Sequence, residues 1–287
     1  MKVLKGKNKL VWLILSLSVV FVSCQPERKE TPTKGSLKCD VDESLYSIVV
    51  AIRDSFVTKY TEAKIELNKL KAREGIVKVL NGESTMFISS RELNKEEAEF
   101  IQKTKSNVIV MKICYDALTV IVDSNHALSR MTTTELKQIL LGESRQYKVF
   151  LPDPNSGVFE NLKTDLLENK KPAAQIVNGE EEVVKSVLKN KNSIGVVGLN
   201  IAKSAKGIKI VRIGTDERSA TGGYYYEPIA GYLSNGEYPL IRTCYIFLNE
   251  IGILLGNGFA TYITSHDGQK IILGYDLGPA TVPIRYK

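Results

Sequence analysis

From Ser36 to Gly274 the apolar residues keep changing period, short runs of period two alternating with longer runs of period 3.6. "SLKCDV" (36–41) reads as a strand, and from Leu45 onward Ile48, Val49, Ile52, Phe56 and Tyr60 share one helical face. "KIEL" (64–67) alternates like a strand, "GIVKVLNG" (75–82) is a short helix stopped by glycine, "TMFISS" (85–90) is a strand and "NKEEAEFIQKT" (94–104) a helix. "NVIVMKICYDALTVIVD" (107–123) is β-rich and long enough for two strand segments. "TTTELKQILLG" opens with the capping box Thr132 and Glu135 and closes at Gly142. "YKVFL" (147–151) is a strand, and residues 158–169 form a helix with Phe159, Leu162 and Leu166 inward. A second capping box, Asn178 and Glu181, starts the next helix, with "SIGVVG", "GIKIVRI" and "YPLIRTCYIFL" as later strands. Strands and helices alternating in this way predict an α/β fold with mainly parallel sheets and flanking helices.

The first residues serve targeting. Lys2, Lys5, Lys7 and Lys9 precede thirteen uncharged, mostly apolar residues, Leu10 to Val22, and then Ser23-Cys24. That run is short for a bilayer span and has the charged and apolar regions of an export signal, so residues 1–23 read as a signal peptide. A cysteine directly behind it, after a small residue, resembles the lipobox of bacterial lipoproteins, although Phe21 is bulkier than the usual leucine. That resemblance implies cleavage before Cys24, lipidation of Cys24, and a protein held on an extracytoplasmic membrane face of the cell envelope. Residues 24–36 contain "QPERKETPTKGS", which has no large apolar side chain and reads as a flexible tether.

Several chemistries find no support. Of the formal charge of +7, four come from the lysines of residues 1–23, and the remaining +3 is dispersed rather than gathered into the basic face that nucleic acid requires. Cys39, Cys114 and Cys244 lack a CxxC pair and allow at most one bridge, and Cys114 and Cys244 lie in apolar runs as small buried hydrophobes. His126 and His266 are far apart in loop-like contexts, so no metal site and no cofactor is expected, and no GxSxG or other nucleophile motif points to an enzyme.

In open α/β sheets ligands bind where strand ends feed helix starts. Three such connections are polar: Asp42-Glu43-Ser44, Ser89-Ser90-Arg91 and Asp153-Pro154-Asn155-Ser156-Gly157. Hydroxyls and backbone amides donate to oxyanions, glycine permits close approach, and arginine adds a bidentate charge. Each connection alone is explained by ordinary helix capping. The candidate ligand contacts are therefore Ser44, Ser89, Ser90, Arg91, Asn155, Ser156 and Gly157.

Residues 36–285 resemble the phosphate-binding lipoproteins of ABC importers. The resemblance rests on "IVKVLNGESTMFISSREL", "YDALTVIVDSNHALSRMTTTELKQILLG", "NSIGVVGLNIAKS", "YPLIRTCYIFL" and "GFATYITSHDGQKIILGYDLGPATVPIR" in that order. It implies a two-lobed periplasmic-binding-protein type 2 fold with two crossover strands, near residues 116–123 and 225–245. Lobe I would comprise 37–118 and 240–287, and lobe II 119–239, closing on the solute by hinge motion. It also implies a monomer delivering phosphate or a similar oxyanion to permease subunits, attached to the membrane through its N-terminal lipid. Among the family's phosphate contacts, the hydroxyl residue opening the first helix corresponds to Ser44. The small polar residues after the third strand correspond to Ser89 and Ser90, with Arg91 following. The Ser-Gly-Thr of the second lobe corresponds to Ser156 and Gly157, with Val158 in place of the threonine.

Other departures are the missing arginine before that motif, where Leu151, Pro152 and Asp153 stand, and a first-lobe loop carrying Lys69, Lys71, Arg73 and Glu74 in place of glycine and serine. Asp42 and Glu43 also replace small residues, and with Asp153 they would repel a dianion if they faced the cleft. "GGYYYEPIAGYLSNGEYP" reads as an extended return segment packing its tyrosines between the lobes. The alternative to transport is a sensory, scaffolding or envelope interaction module that keeps the fold without the oxyanion.

Overall fold

The computed structural model describes residues 30–216 and 223–281. The signal segment 1–23, residues 24–29 of the tether with Cys24, and the last residues of the tail, 282–287, lie outside the described residues. The first part of the chain forms β1 (Gly35–Asp42), α1 (Tyr46–Lys59), β2 (Ala63–Leu70), α2 (Ala72–Leu80), β3 (Met86–Ser89), α3 (Lys95–Thr104) and β4 (Ile109–Asp123). The middle forms β5 (Arg130–Thr132), α4 (Thr133–Leu140), β6 (Lys148–Pro152), α5 (Gly157–Asn161), β7 (Gln175–Val177), α6 (Glu180–Lys189) and β8 (Ser193–Gly198). It ends with α7 (Leu199–Ser204), β9 (Ile208–Ile210), β10 (Arg212–Gly214), α8 (Ala230–Ser234), β11 (Ile241–Leu248), α9 (Leu255–Thr264), α10 (His266–Gly274) and β12 (Gly278–Pro279).

One sheet runs β2-β1-β3-β11-β4-β8-β6-β7, with β9 and β12 also on β4, while β5 and β10 make a separate parallel pair. The outer strands pair in parallel; the antiparallel pairs gather where β4 and β11 run through the middle. β4 is one strand of fifteen residues rather than two segments. Ile109–Ala117 pair with β11, and Leu118–Ile121 pair with β8, so a change of partner lets the strand continue where the sequence suggested a break. The β11 register shifts between Cys244 and Tyr245, leaving Ile113 as the extra residue of a bulge.

The burial follows the periodicities. Leu37, Cys39 and Val41 of β1 alternate inward against Ile48, Val49, Ile52 and Phe56 of α1. The second part of β4 is buried on both faces, as helix-covered strands are. Cys39, Cys114 and Cys244 are buried free thiols, Cys114 lying opposite Cys244.

Local expectations fare unequally. The box of Thr132 and Glu135 forms as read, and Asn94 and Glu97 form another that the sequence reading did not name. The box at Asn178 does not: Gly179, at φ 91°, caps α6, and the Asn178 amide oxygen accepts from Lys71 instead. The helix expected over 158–169 is α5 followed by a π-helical turn, Leu162–Leu166. The tyrosine-rich segment is not an extended strand. It bridges Ile213 at Tyr226, coils into α8, and buries Tyr238, whose hydroxyl donates to the Leu118 carbonyl at 3.0 Å.

Candidate functional site

At the end of β1, Asp42 is fully buried and both of its carboxylate oxygens are engaged. Oδ1 accepts from the backbone N–H of Ser44 at 2.9 Å, and Oδ2 from the Ser90 hydroxyl at 2.8 Å. The start of α5 presses on the same group. A Cβ at Gly157 would collide with Ser90 Oγ and lie 3.3 Å from Asp42 Oδ2, so this position requires glycine. The Asn161 amide adds a donation to the Ser90 carbonyl at 3.1 Å. The first and second polar connections and the opening of α5, which belongs to the third, thus meet around one carboxylate.

A second buried carboxylate lies beside the first. Glu180, the first residue of α6, accepts from the Ser44 hydroxyl and, at 2.6 Å, from the N–H of Gly198. Burial raises its pKa, opposed by Arg242, Ser44 and Gly198 and reinforced by the charge of Asp42. A side chain at Gly198 would run into the Arg242 guanidinium. That guanidinium donates through Nε and Nη2 to Asp116 Oδ2 at 2.9 and 2.6 Å, and both residues are withdrawn from water. Asp116 Oδ1 accepts from the N–H groups of Ala117 and Leu199. Arg242 Nη1 is buried without a hydrogen-bond partner. Glu43, half-buried nearby, is pushed up to about 7 by burial and by the charges of Glu180 and Asp42, with Lys71 and Lys69 pulling against them.

The other residues singled out from sequence have different work. Ser89 closes a local turn, donating to the Arg91 carbonyl at 2.9 Å and accepting from the Arg91 N–H at 3.2 Å. Arg91 is buried and grips Glu97 with two bonds of 2.7 Å, while Glu97 completes the cap of α3. Its charge is thereby neutralised by a residue six positions further along the chain. Ser156 is buried as the N-cap of α5, its Oγ accepting from Phe159 N–H at 3.2 Å. Asn155 is exposed; its N–H donates to Asp153 and its carbonyl accepts from Arg73 N–H at 3.1 Å. Lys71 reaches Asp153 at 3.2 Å and Asn178 at 3.0 Å, so this basic loop is engaged by acceptors in the connections that precede α5 and α6.

Residues 26–267 match the family described as "PBP superfamily domain". The chain belongs to that superfamily. Among similar proteins, the phosphate-binding protein PstS of Staphylococcus epidermidis is 23% identical over 253 residues, 82% of this chain and 76% of its own. Protein SphX of Synechococcus elongatus is 23% identical over 87% of this chain and 79% of its own length. A solved protein of Clostridium perfringens, described as a phosphate ABC transporter substrate-binding protein with bound phosphate, superposes with a TM-score of 0.73 at 20% identity. It covers 86% of this chain and 100% of that one. An ABC-type phosphate transport receptor of Vibrio cholerae gives 0.66 at 16% identity, covering 85% of this chain and 100% of its own. These likenesses establish the mixed α/β fold of type 2 members.

Within this PBP-superfamily chain, the Ser44 N–H and hydroxyl, the Ser90 hydroxyl and the Gly198 N–H form a compact set of donors, and carboxylate oxygens of the chain itself occupy it. Among the described residues no cluster of His, Cys, Asp and Glu could hold a metal. Sequence reasoning noticed Asp42 only as a possible repellent and missed Glu180, Asp116 and Arg242. Arg242 in "YPLIRTCYIFL" and Asp116 in "CYDALTVIVD" did carry a signal: a charge inside an apolar strand is rarely buried unless paired. Glu180 carried none, because acids opening a helix are commonplace.

Proposed function

We propose that this chain is a solute-binding protein that captures phosphate or a similar tetrahedral oxyanion for an ABC importer and performs no catalysis. The observation that carries the reading is Asp42, an oxyanion of the chain held by the Ser44 N–H and the Ser90 hydroxyl with Gly157 packed against it. Groups that hold one pair of oxygens in this way are chemically suited to hold another. The names of PstS and of the solved phosphate-binding relatives support the same solute.

Capture would take place between lobe I (37–118 and 240–287) and lobe II (119–239), turning about β4 and β11. Asp42 and Glu180 would surrender their donors to the solute or accept hydrogens from its protonated form. Each charge-assisted bond surrendered costs about 1.5–3 kcal/mol, so affinity falls by about one to two decades per bond. The contacts proposed are Ser44 and Ser90, with the loop Asn155-Ser156-Gly157 shaping the wall and Ser89 and Arg91 supporting it. The protein would act as a monomer on an extracytoplasmic membrane face, lipidated at Cys24 after loss of residues 1–23, and would meet permease subunits there. Among the described residues no helix is long and apolar enough to cross a membrane.

A second reading is favoured by one observation: the Ser44–Glu180 bond joins the two sides through the chain's own groups. A molecule fastened in this way could serve as an envelope scaffold or sensor without an oxyanion. Calorimetric titration of ligand-stripped mature protein with phosphate, sulfate and arsenate separates the two. Saturable heat that is lost on Ser44→Ala and Ser90→Ala supports capture. No heat with any oxyanion, together with recovery of an envelope complex lacking permease subunits, leaves the scaffold.

A further inference from the structure

The most exposed large apolar side chains among the described residues are Ile251, 87% exposed, and Ile253, 73%, followed by Tyr224 at 71%. The two isoleucines flank Gly252, which turns at φ 95° between β11 and α9, so both stand at one loop tip. Beside the tip lies a groove of about 530 Å³ that Ile253 shares with Pro32 and Thr33. The start of the described chain is fastened there, because Gly258 of α9 abuts the Pro32 carbonyl and could not carry a side chain. The tether therefore leaves the body on the face that carries the isoleucines.

Five residues lie between Cys24 and Glu30, and the six steps from one Cα to the next span at most about 22 Å when fully extended. An acyl group on Cys24 would hold this face within that distance of the bilayer. Two isoleucines offer far less area than the roughly 800 Å² per partner of a stable protein interface, but an apolar tip of that size suits the interfacial layer of a membrane. A weak partition is sufficient once a short tether makes the contact effectively intramolecular.

We propose that the Ile251-Gly252-Ile253 tip rests in the surface of the phospholipid bilayer to which the chain is anchored. This inference depends on the lipoprotein reading of Cys24. The anchored body then has a fixed foot rather than free rotation about its tether.

The sequence supplies a clean probe, since its single tryptophan, Trp12, lies in the segment removed on export. Lipidated Ile251→Trp protein, reconstituted in phospholipid vesicles with brominated acyl chains, is expected to lose about half of its indole emission or more and to shift to the blue. Tyr224→Trp, beside the separate β5/β10 pair, should remain at its emission in unbrominated vesicles. An intact mass of the same preparation reads the acyl group independently. Acylated Ile251→Trp protein that is quenched no more than the Tyr224→Trp control, or is shielded only when permease subunits are present, overturns the membrane contact. A mature protein without the acyl mass overturns the anchoring and this inference with it.

Discussion

The hydroxyl of Ser44, at the start of the first helix, donates to the carboxylate of Glu180, which opens a helix 136 residues further along, and both are buried. The bond joins the turn that follows β1 to the first position of α6. It ties a residue proposed to hold a solute oxygen to an acid of the chain itself.

If that acid competes with the solute, removing its charge should favour the solute. Glu180→Gln retains a neutral side chain of the same shape and is expected to bind phosphate about tenfold more tightly by calorimetry. Weaker binding by a fully folded variant would mean that the charge assists capture.

Acidity should matter for stability as well. An unfolded glutamate loses its proton near 4.5, whereas folded Glu43 keeps it up to about 7, first through burial and then through Glu180 and Asp42. The folded state therefore holds more protons between those values, so stability is present at the acid end and declines as pH rises through 7. With screening at this partly exposed site the loss is about 1–2 kcal/mol. Urea denaturation from pH 4.5 to 7.5 should reveal it as a slope that flattens in Glu43→Gln. A parallel slope in the variant would assign the effect to other groups.

Gly157→Ala places a methyl group against Ser90 and Asp42. Overpacking of this kind costs about 1–3 kcal/mol and should lower the thermal midpoint by several degrees. Combining it with Ser90→Ala should restore part of the loss. An unchanged midpoint in the single variant would show that α5 can move away freely.

Two buried arginines should behave as structural members. Asp116→Asn leaves Arg242 poorly compensated, and Arg91→Ala does the same to Glu97; each is expected to cost about 3–5 kcal/mol in urea titration. Arg91→Ala protein that remains folded should bind phosphate as the parent does. A selective loss of binding with unaltered stability would return Arg91 to the ligand.

Much of the fold could be read in the chain because local rules and burial agreed. The apolar stripe of α1, the box at Thr132 and the strand at "SIGVVG" each form as periodicity dictates. Periodicity has no view of partners, however. β4 looked like two strands because nothing local reveals that a strand can exchange one neighbour for another at Leu118. Asn178 looked like a cap, but Lys71 from a distant loop claims its oxygen. The site divided along the same line: Ser44, Ser90 and Gly157 are brought together as their loop positions suggested, whereas Arg91 turns toward Glu97, three residues after Asn94, in a local contact that no loop rule foretells.

β4 belongs to both sides of the molecule without interruption, and its bulge at Ile113 stands three residues before Asp116, whose arginine partner comes from the neighbouring strand. No slack chain joins the two sides there. Any swing between the proposed lobes would have to be taken up as torsion in a pair of hydrogen-bonded ribbons riveted by an ion pair. If the proposed capture closes such a mouth, a single proton or a single oxyanion at its lips would decide whether it stays shut.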